Sequence, residues 1–247
     1  MLTVPRKPNS SALLVRRHSY RVPSTPCEEG EKGIVKCFFA LLVCYLIGAI
    51  PFGLIVGKLV KGIDIRQFGS GNIGATNVYR TLGIGPALLV FILDTAKGLA
   101  AVIICRTVAF SDWFVVLGGL LAVAGHTFSV FLRFSGGRGV ATALGVIIGL
   151  TPAIAAVALG LWTVIVIITR YISVASILAA LSVPVLMATW KAMHVPKPYF
   201  ILACVAGFAI VLRHIPNIKR LAAGTEPRLG EKSQSIQKGG EHRSHGT

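Results

Sequence analysis

Six apolar runs occupy about half of this 247-residue chain: residues 37–60, 84–105, 113–132, 143–169, 172–190 and 199–212. The run 143–169 carries no charged residue. Apolar stretches of this length need lipid around them, and lipid offers a backbone no hydrogen-bond partners. Only helices or a closed barrel meet that condition. The runs are continuous and lack the two-residue alternation of barrel strands. The chain is therefore predicted to be all-α, a polytopic membrane helical bundle. Its composition fits, with 54% hydrophobic and 14% charged residues, where a soluble domain has about 25% charged.

Charge is segregated to the two ends. Residues 1–36 hold seven Lys/Arg and three Glu, residues 213–247 hold seven and three again, and the long middle holds eleven Lys/Arg and three Asp. The formal net charge of +16 suits loops that face anionic headgroups and follow the positive-inside rule. No basic helix with stacking aromatics points to nucleic acid, so no nucleic-acid partner is expected. Residues 1–36 read as a disordered basic extension, with the Ser-rich, acid-free start of a transit peptide. Residues 37–224 form the membrane domain, and 225–247 a polar, disordered tail. The five cysteines show no CxxC spacing and read as small apolar fillers, with no metal site and no cofactor.

Polar, glycine-rich stretches follow the first, third and last runs, at 61–83, 133–142 and 213–230. For these to build one site, they must share a face of the membrane. The chain must then cross an even number of times between 142 and 213, yet three runs lie there. A break of 143–169 at Thr151-Pro152 solves the parity, because Pro152 interrupts the hydrogen-bond ladder. Each half would be too short to cross unless the chain dips in and returns. That gives about seven transmembrane helices, and five if one run instead lies in the interface. It also brings Arg170-Tyr171-Ile172-Ser173 to the face of the three loops. Basic loops place that face in the cytoplasm, with the N-terminus outside and the C-terminus inside.

The first loop, GSGNIGATNVYRTLG at 69–83, has the residue types of a phosphate site. Glycines such as Gly71 let backbone N–H groups converge on an anion, and a helix N-terminus adds to the field. Ser70, Asn72, Thr76 and Asn77 add neutral donors. Arg80 supplies a planar fork that matches two phosphate oxygens. No GK[ST] follows, so this is not a Walker A loop. The second stretch runs from His126 to Thr142 and sets Arg138 among Gly136, Gly137 and Gly139. The third runs from Arg213 to Glu226, with His214 and Asn217 one helical turn apart. His126 reads equally as a helix-end histidine or a site member. Asp94 and Lys97, three apart inside the second run, read as a structural ion pair, with a substrate path as the alternative. Ser173 and Ser176 open the next-to-last run, where capping is their ordinary role.

Taken together, GSGNIGATNVYRTLG, GHTFSVFLRFSGGRGVATALG, RYISVASI and RHIPNIKRLAAGTE resemble the motifs of the bacterial acyl-phosphate-dependent glycerol-3-phosphate acyltransferases. They occur in that family's order and cover about residues 36–228. The resemblance implies a small enzyme of the bacterial cytoplasmic (inner) membrane with cytoplasmic motif loops and seven helices. It implies transfer of a fatty acyl group from acyl phosphate to the 1-hydroxyl of sn-glycerol 3-phosphate, giving 1-acyl-sn-glycerol 3-phosphate and phosphate, the first step of phospholipid synthesis. A soluble acyl-phosphate-forming enzyme is the implied partner. By motif match, Ser70 and Arg80 hold phosphate, Arg138 takes the cationic position and Asn217 lies nearby. Ser176 and His214 match residues near the reacting acyl and hydroxyl groups, and Glu226 closes the third motif. The chain departs from the family at Ser135 and Arg138, where Lys is frequent, and at Ser129, where Pro is usual.

The implied chemistry is physically simple. Acyl phosphate is a mixed anhydride with a good leaving group, so no covalent enzyme intermediate is needed. Cations and amides from several loops would offset repulsion between two phosphates and align hydroxyl with carbonyl. Either His214 or the substrate's own phosphate takes the hydroxyl proton. The His-x4-Asp signature of soluble acyltransferases is absent, since Phe131 and Tyr199 stand five residues after His126 and His194. The rival from another class is a membrane transporter of an organic phosphate. Its loops would sit in broken helices at mid-membrane rather than at one face.

Overall fold

The computed structural model describes residues 30–109, 111–190 and 194–231. Most of the predicted basic extension and of the predicted tail therefore lie outside the described residues. The first apolar run yields α1 (Glu31–Ala49) and α2 (Phe52–Lys61). Pro51 parts them, having no N–H to give and disfavouring a helical Ile50. A single span over 37–60 is thus replaced by two helices, and α1 begins six residues earlier, inside the predicted extension. The polar loop then leads into α3 (Ala75–Leu82), and α4 (Ile84–Val108) follows Gly83.

Five further helices carry the remaining runs: α5 (Asp112–Thr127), α6 (Val140–Leu150), α7 (Pro152–Thr169), α8 (Ile172–Thr189) and α9 (Lys197–Arg213). A short α10 (Ile215–Ala222) closes the described helices. Five helices are long and apolar enough to cross a membrane, namely α1, α4, α5 prolonged to Leu132, α7 and α8. The pair α9 and α10 is bent by 52° and passes the same test only when its two helices are taken together. The break falls where the sequence places it, with Thr151 between α6 and α7 and Pro152 at the first position of α7. Proline is tolerated there because that N–H has no helical partner. The two halves are unequal. At about 1.5 Å per residue α6 spans only about 16 Å, whereas α7 spans about 27 Å and is long enough to cross.

The helices approach closely through small residues, as lipid-immersed bundles do. α4 packs on α6, α1 on α5, α7 on α8 and α8 on α9. Two crossings have a glycine on each side. A Cβ on Gly98 would overlap the Thr142 carbonyl, and one on Gly145 would overlap that of Thr95. Gly48 and Gly125 play the same part between α1 and α5, against Ala122 and Tyr45. Cys44 and Cys105 pack in this core as free thiols, with a hydrogen bond between their sulfurs at 3.6 Å. Cys37 is disulfide-bonded, so the reading of every cysteine as filler fails there.

Asp94 and Lys97 do form the ion pair, with 2.8 Å between Lys97 Nζ and Asp94 Oδ1, and both residues are buried. Lys97 also donates to the Ile50 carbonyl at 3.0 Å. That carbonyl lies at the break between α1 and α2 and also accepts from Phe52 N at 3.2 Å. His126 Nδ1 lies 3.5 Å from the same Asp94 oxygen.

The glycine crossings can be tested directly. Gly98→Leu should cost about 1–3 kcal/mol, the usual range for overpacking, read as a lower unfolding temperature in detergent. Gly160→Leu should be close to neutral, because a Cβ there meets nothing within 4 Å.

Candidate active site

One end of the bundle gathers all four polar stretches. Arg213 sits at the end of α9, and its Nη2 donates to the carbonyls of Gly136 and Gly137 at 3.1 and 3.2 Å. This joins the third stretch to the second. Arg80 Nη2 donates to the Pro227 carbonyl at 3.1 Å, joining the first to the chain beyond α10. That chain also reaches the α7–α8 turn: Leu229 N donates to the Arg170 carbonyl at 2.7 Å, and Arg170 Nη2 to the Leu229 carbonyl at 2.8 Å. Arg228 Nε donates to the Tyr171 hydroxyl at 3.1 Å. Residues 225–231, placed by the sequence in the tail, are therefore a strap across this end of the bundle.

At this end of the bundle opens a cavity of about 160 Å³. Ser70, Asn72, Thr76, Asn77, Asp94, His126, Arg138, Gly139, Ser176 and His214 border it. The rest of its wall is mainly apolar, with Phe91 and Trp162 as its largest side chains. On α8, Ser176, Ala180 and Val183 line it; on α9, Ala203, Gly207 and Ile210 do so, with His214 just past its end. Those spacings keep one face of each helix turned to the cavity. Val183 lies eleven residues beyond Ile172, so the cavity reaches about 16 Å into the bundle. A polar mouth thus opens onto a deep apolar groove.

The first loop is built differently from a simple anion nest. Asn77 is buried, and its Nδ2 donates to the carbonyls of Ile65, Phe68 and Asn72 at 2.8–3.0 Å. Its Oδ1 accepts from Ser70 N at 2.8 Å. Asn77 therefore holds the loop's shape and has no donor left for a ligand. The N–H groups of Gly71 and Gly74 are also committed, to the Phe68 carbonyl and Asn72 Oδ1. What borders the cavity is the start of α3 at Gly74, Ala75 and Thr76, which no side chain caps. Uncapped first-turn N–H groups suit an anion.

In the second loop the glycines serve close approach. A Cβ on Gly137 would overlap the His126 ring, and one on Gly136 the His126 carbonyl. Gly139 holds a left-handed φ of 81° just before α6. His126 is thus buried against Asp94 and the loop that presents Arg138. Ser129 is fully buried and donates to the Ala49 carbonyl at 2.6 Å, a bond that Pro would not make. Ser135, by contrast, is exposed.

Charge at the mouth is one-sided. Burial, then the neighbouring Arg220, Arg80 and Arg213, push the Arg138 guanidinium down to about 10, against the pull of Glu226. Burial likewise lowers Arg80. Glu226 is their buried counter-charge. Burial is the largest single influence and raises its carboxyl, but the bonds from Asn217, Ser173 and Arg220 and the Arg220 charge together outweigh it, and the net shift is downward. Asn217 Nδ2 lies 2.7 Å from Glu226 Oε1, and Arg220 Nε 2.8 Å from Oε2. Asn217, expected beside a substrate phosphate, thus gives its Nδ2 to Glu226, while its buried Oδ1 has no hydrogen-bond partner among the described residues. Ser173 is buried near the same carboxylate and makes no cap. Arg213 and Tyr171 were legible only as a basic cluster and a helix start, because their partners lie far along the chain.

His214 stands just past the end of α9, with its Nδ1 2.8 Å from the Ile210 carbonyl. A carbonyl only accepts, so Nδ1 carries the proton and Nε2 keeps a free lone pair. Burial lowers the ring to about 4; the Ile210 bond opposes this, and Arg138 and Arg213 reinforce it.

A cationic mouth thus stands above an apolar groove. Residues 38–224 match the family described as glycerol-3-phosphate acyltransferase. The chain belongs to that family. It is 44% identical over 202 residues to a glycerol-3-phosphate acyltransferase of Synechococcus sp. (strain CC9902), covering 82% of this chain and 100% of that one. Against the family member of Gloeobacter violaceus it is 44% identical over 191 residues, covering 76% and 92%. Its fold is similar to the crystal structure of PlsY (YgiH), an integral membrane glycerol 3-phosphate acyltransferase, in its glycerol 3-phosphate form. There the TM-score is 0.73 at 41% identity, over 78% of this chain and 96% of that one. A second form of PlsY, with lysophosphatidic acid, matches with a TM-score of 0.72.

The histidine shift predicts a pH window. Because the folded value of about 4 lies below the ordinary 6.5, the stability that His214 contributes is whole above about pH 6.5. It is lost as pH falls toward about 4. The Glu226 contribution is lost only below the ordinary carboxyl range near about 4.3. Unfolding temperature in detergent should therefore fall between pH 6.5 and 4.5 less steeply in His214→Asn than in the parent, with Glu226→Gln unchanged from the parent in that window.

Proposed function

We propose that this protein transfers a fatty acyl group from acyl phosphate to the 1-hydroxyl of sn-glycerol 3-phosphate, giving 1-acyl-sn-glycerol 3-phosphate and inorganic phosphate. One observation carries the reading: Arg138, His214 and Ser176 border the same cavity where its polar mouth meets its apolar groove. An acyl phosphate has that shape, with a charged head and a long apolar chain. Family membership supports the acceptor, and PlsY has been solved in forms with glycerol 3-phosphate and lysophosphatidic acid.

In this reading Arg80, Arg138 and the start of α3, with Ser70 and Asn72, hold the phosphates. Gly71, Gly136, Gly137 and Gly139 give the two loops their shape. The glycerol 1-oxygen attacks the acyl carbonyl carbon. The carbon–oxygen bond to phosphate breaks, and its electron pair leaves on the phosphate. The departing phosphate gains negative charge as that bond breaks and becomes more basic, whereas burial beside cations lowers the His214 ring and makes it a poor base. The hydroxyl proton therefore passes to the substrate's phosphate, and His214 Nε2 accepts a hydrogen bond that orients the glycerol. Ser176 donates to the acyl carbonyl. Asn217, Glu226 and Ser173 hold the strap, and Thr76, Asn77 and His126 support the loops.

The loops face the cytoplasm of a bacterial inner membrane, with the N-terminus outside and the C-terminus within. A soluble enzyme that makes acyl phosphate supplies the donor. The acyl chain enters the groove from the lipid.

The decisive experiment uses purified protein in lipid cubic phase with palmitoyl phosphate or palmitoyl-CoA and glycerol 3-phosphate, following lysophosphatidate and phosphate. Product from palmitoyl phosphate alone is expected, and product from the thioester alone would overturn the donor. Arg138→Ala should lower kcat/KM for glycerol 3-phosphate about 100-fold, the usual scale for a buried cation on a reacting phosphate. Arg138→Lys should recover part of that loss.

A further inference from the structure

We propose that Trp162 is a positioning residue for Ser176, fixing its hydroxyl as a donor to the acyl carbonyl oxygen. The inference rests on the reading of Ser176 given above. Trp162 stands on α7 and Ser176 on α8, and both border the cavity. The indole Nε1 lies 3.2 Å from Ser176 Oγ. An indole N–H only donates, so the serine oxygen is the acceptor in this bond. Its proton must then find a partner elsewhere.

Hydroxyls in apolar helices ordinarily give that proton to a carbonyl one turn back. This chain follows the rule at many positions. Thr95, Thr163, Thr169 and Thr189 each donate to the carbonyl four residues earlier, at 2.7–2.9 Å, and Ser182 donates to the Ala179 carbonyl at 2.8 Å. Among the described residues Ser176 makes no such bond, and its indole contact is its one hydrogen bond. The residue is 4% exposed, so the cavity is the space open to its proton. An accepted hydrogen bond also polarises the O–H and strengthens what it donates.

The position of Ser176 names the acceptor. One turn toward the mouth stands Ile172, where α8 begins beside the strap; one turn deeper stands Ala180, and beyond it Val183. Ser176 thus marks the level at which the polar mouth gives way to the apolar groove. With phosphate at Arg138 and a chain in the groove, the group at that level is the carbonyl. Its oxygen gains negative charge as the glycerol attacks, and a preset donor there acts on the transition state more than on the bound substrate. Ser176 is the catalytic residue, and Trp162 acts through it.

The test is a double-mutant cycle on the full chain, comparing the parent, Trp162→Phe, Ser176→Ala and the double variant. Phenylalanine keeps an aromatic ring and removes the N–H. Ser176→Ala should lower kcat about 100-fold. Trp162→Phe should lower kcat about 10-fold with KM for glycerol 3-phosphate unchanged, and should add nothing in the Ser176→Ala background. The same 10-fold loss in both backgrounds would mean that Trp162 acts through packing, and would overturn the proposal. An unchanged kcat in Trp162→Phe, with Ser176→Ala impaired, would overturn it while leaving the Ser176 role intact. An unchanged kcat in Ser176→Ala would remove the carbonyl role itself, and this inference with it.

Discussion

The turn at Thr151 and Pro152 decides where the chemistry lies. α6 starts at the Arg138 loop and runs inward for eleven residues. Proline then stops its hydrogen-bond ladder, and α7 carries the chain back to Arg170 at the end from which it came. Only after that return do α8 and α9 go out and back. The third motif therefore meets the first two. Had α6 and α7 formed one continuous span, Arg213 and His214 would lie across the bilayer from Arg80 and Arg138. The short α6 is also what leaves room for the cavity, whose wall it shares with α7, α8 and α9.

Electrostatics then give the mouth its character. Arg80, Arg138, Arg213 and Arg220 lie near one buried carboxylate, Glu226. Two of the four cations are tied to neutral carbonyls, which orient them without cancelling their charge. The excess of positive charge in a poorly solvated site is a standing cost to the fold, and an anionic substrate relieves it. Glu226 is held by Asn217 and Arg220, so the counter-charge belongs to the strap across this end of the bundle. Substrate binding and the seating of residues 225–231 thus draw on the same cations.

Several residues that look like ligand donors are instead structural. Asn77 has the amide expected of a phosphate site, yet all its capacity goes to the backbone of its own loop. Gly137 looks like an anion nest, yet it is glycine because the His126 ring lies against it. Asn217 does lie with His214 on one turn, as its spacing suggests, but its amide goes to Glu226. A composition favouring phosphate and a composition favouring a tightly folded loop use the same residues, so their order in the chain does not separate the two uses.

Apolar run length determined by itself that this chain is a helical membrane bundle, because lipid leaves the backbone no other way to bond. Proline at 152 determined the broken span, and the four motifs determined the family. The pairing of Arg213 with Gly136 and Gly137, of Arg80 with Pro227, and of Trp162 with Ser176 was left to the tertiary structure. The reason is physical. Period and composition report each residue's preference for lipid or water within its own helix. Which helix faces which, at what height and through which glycine, is settled by packing between segments distant in the chain, where small residues permit close approach and buried donors must find acceptors.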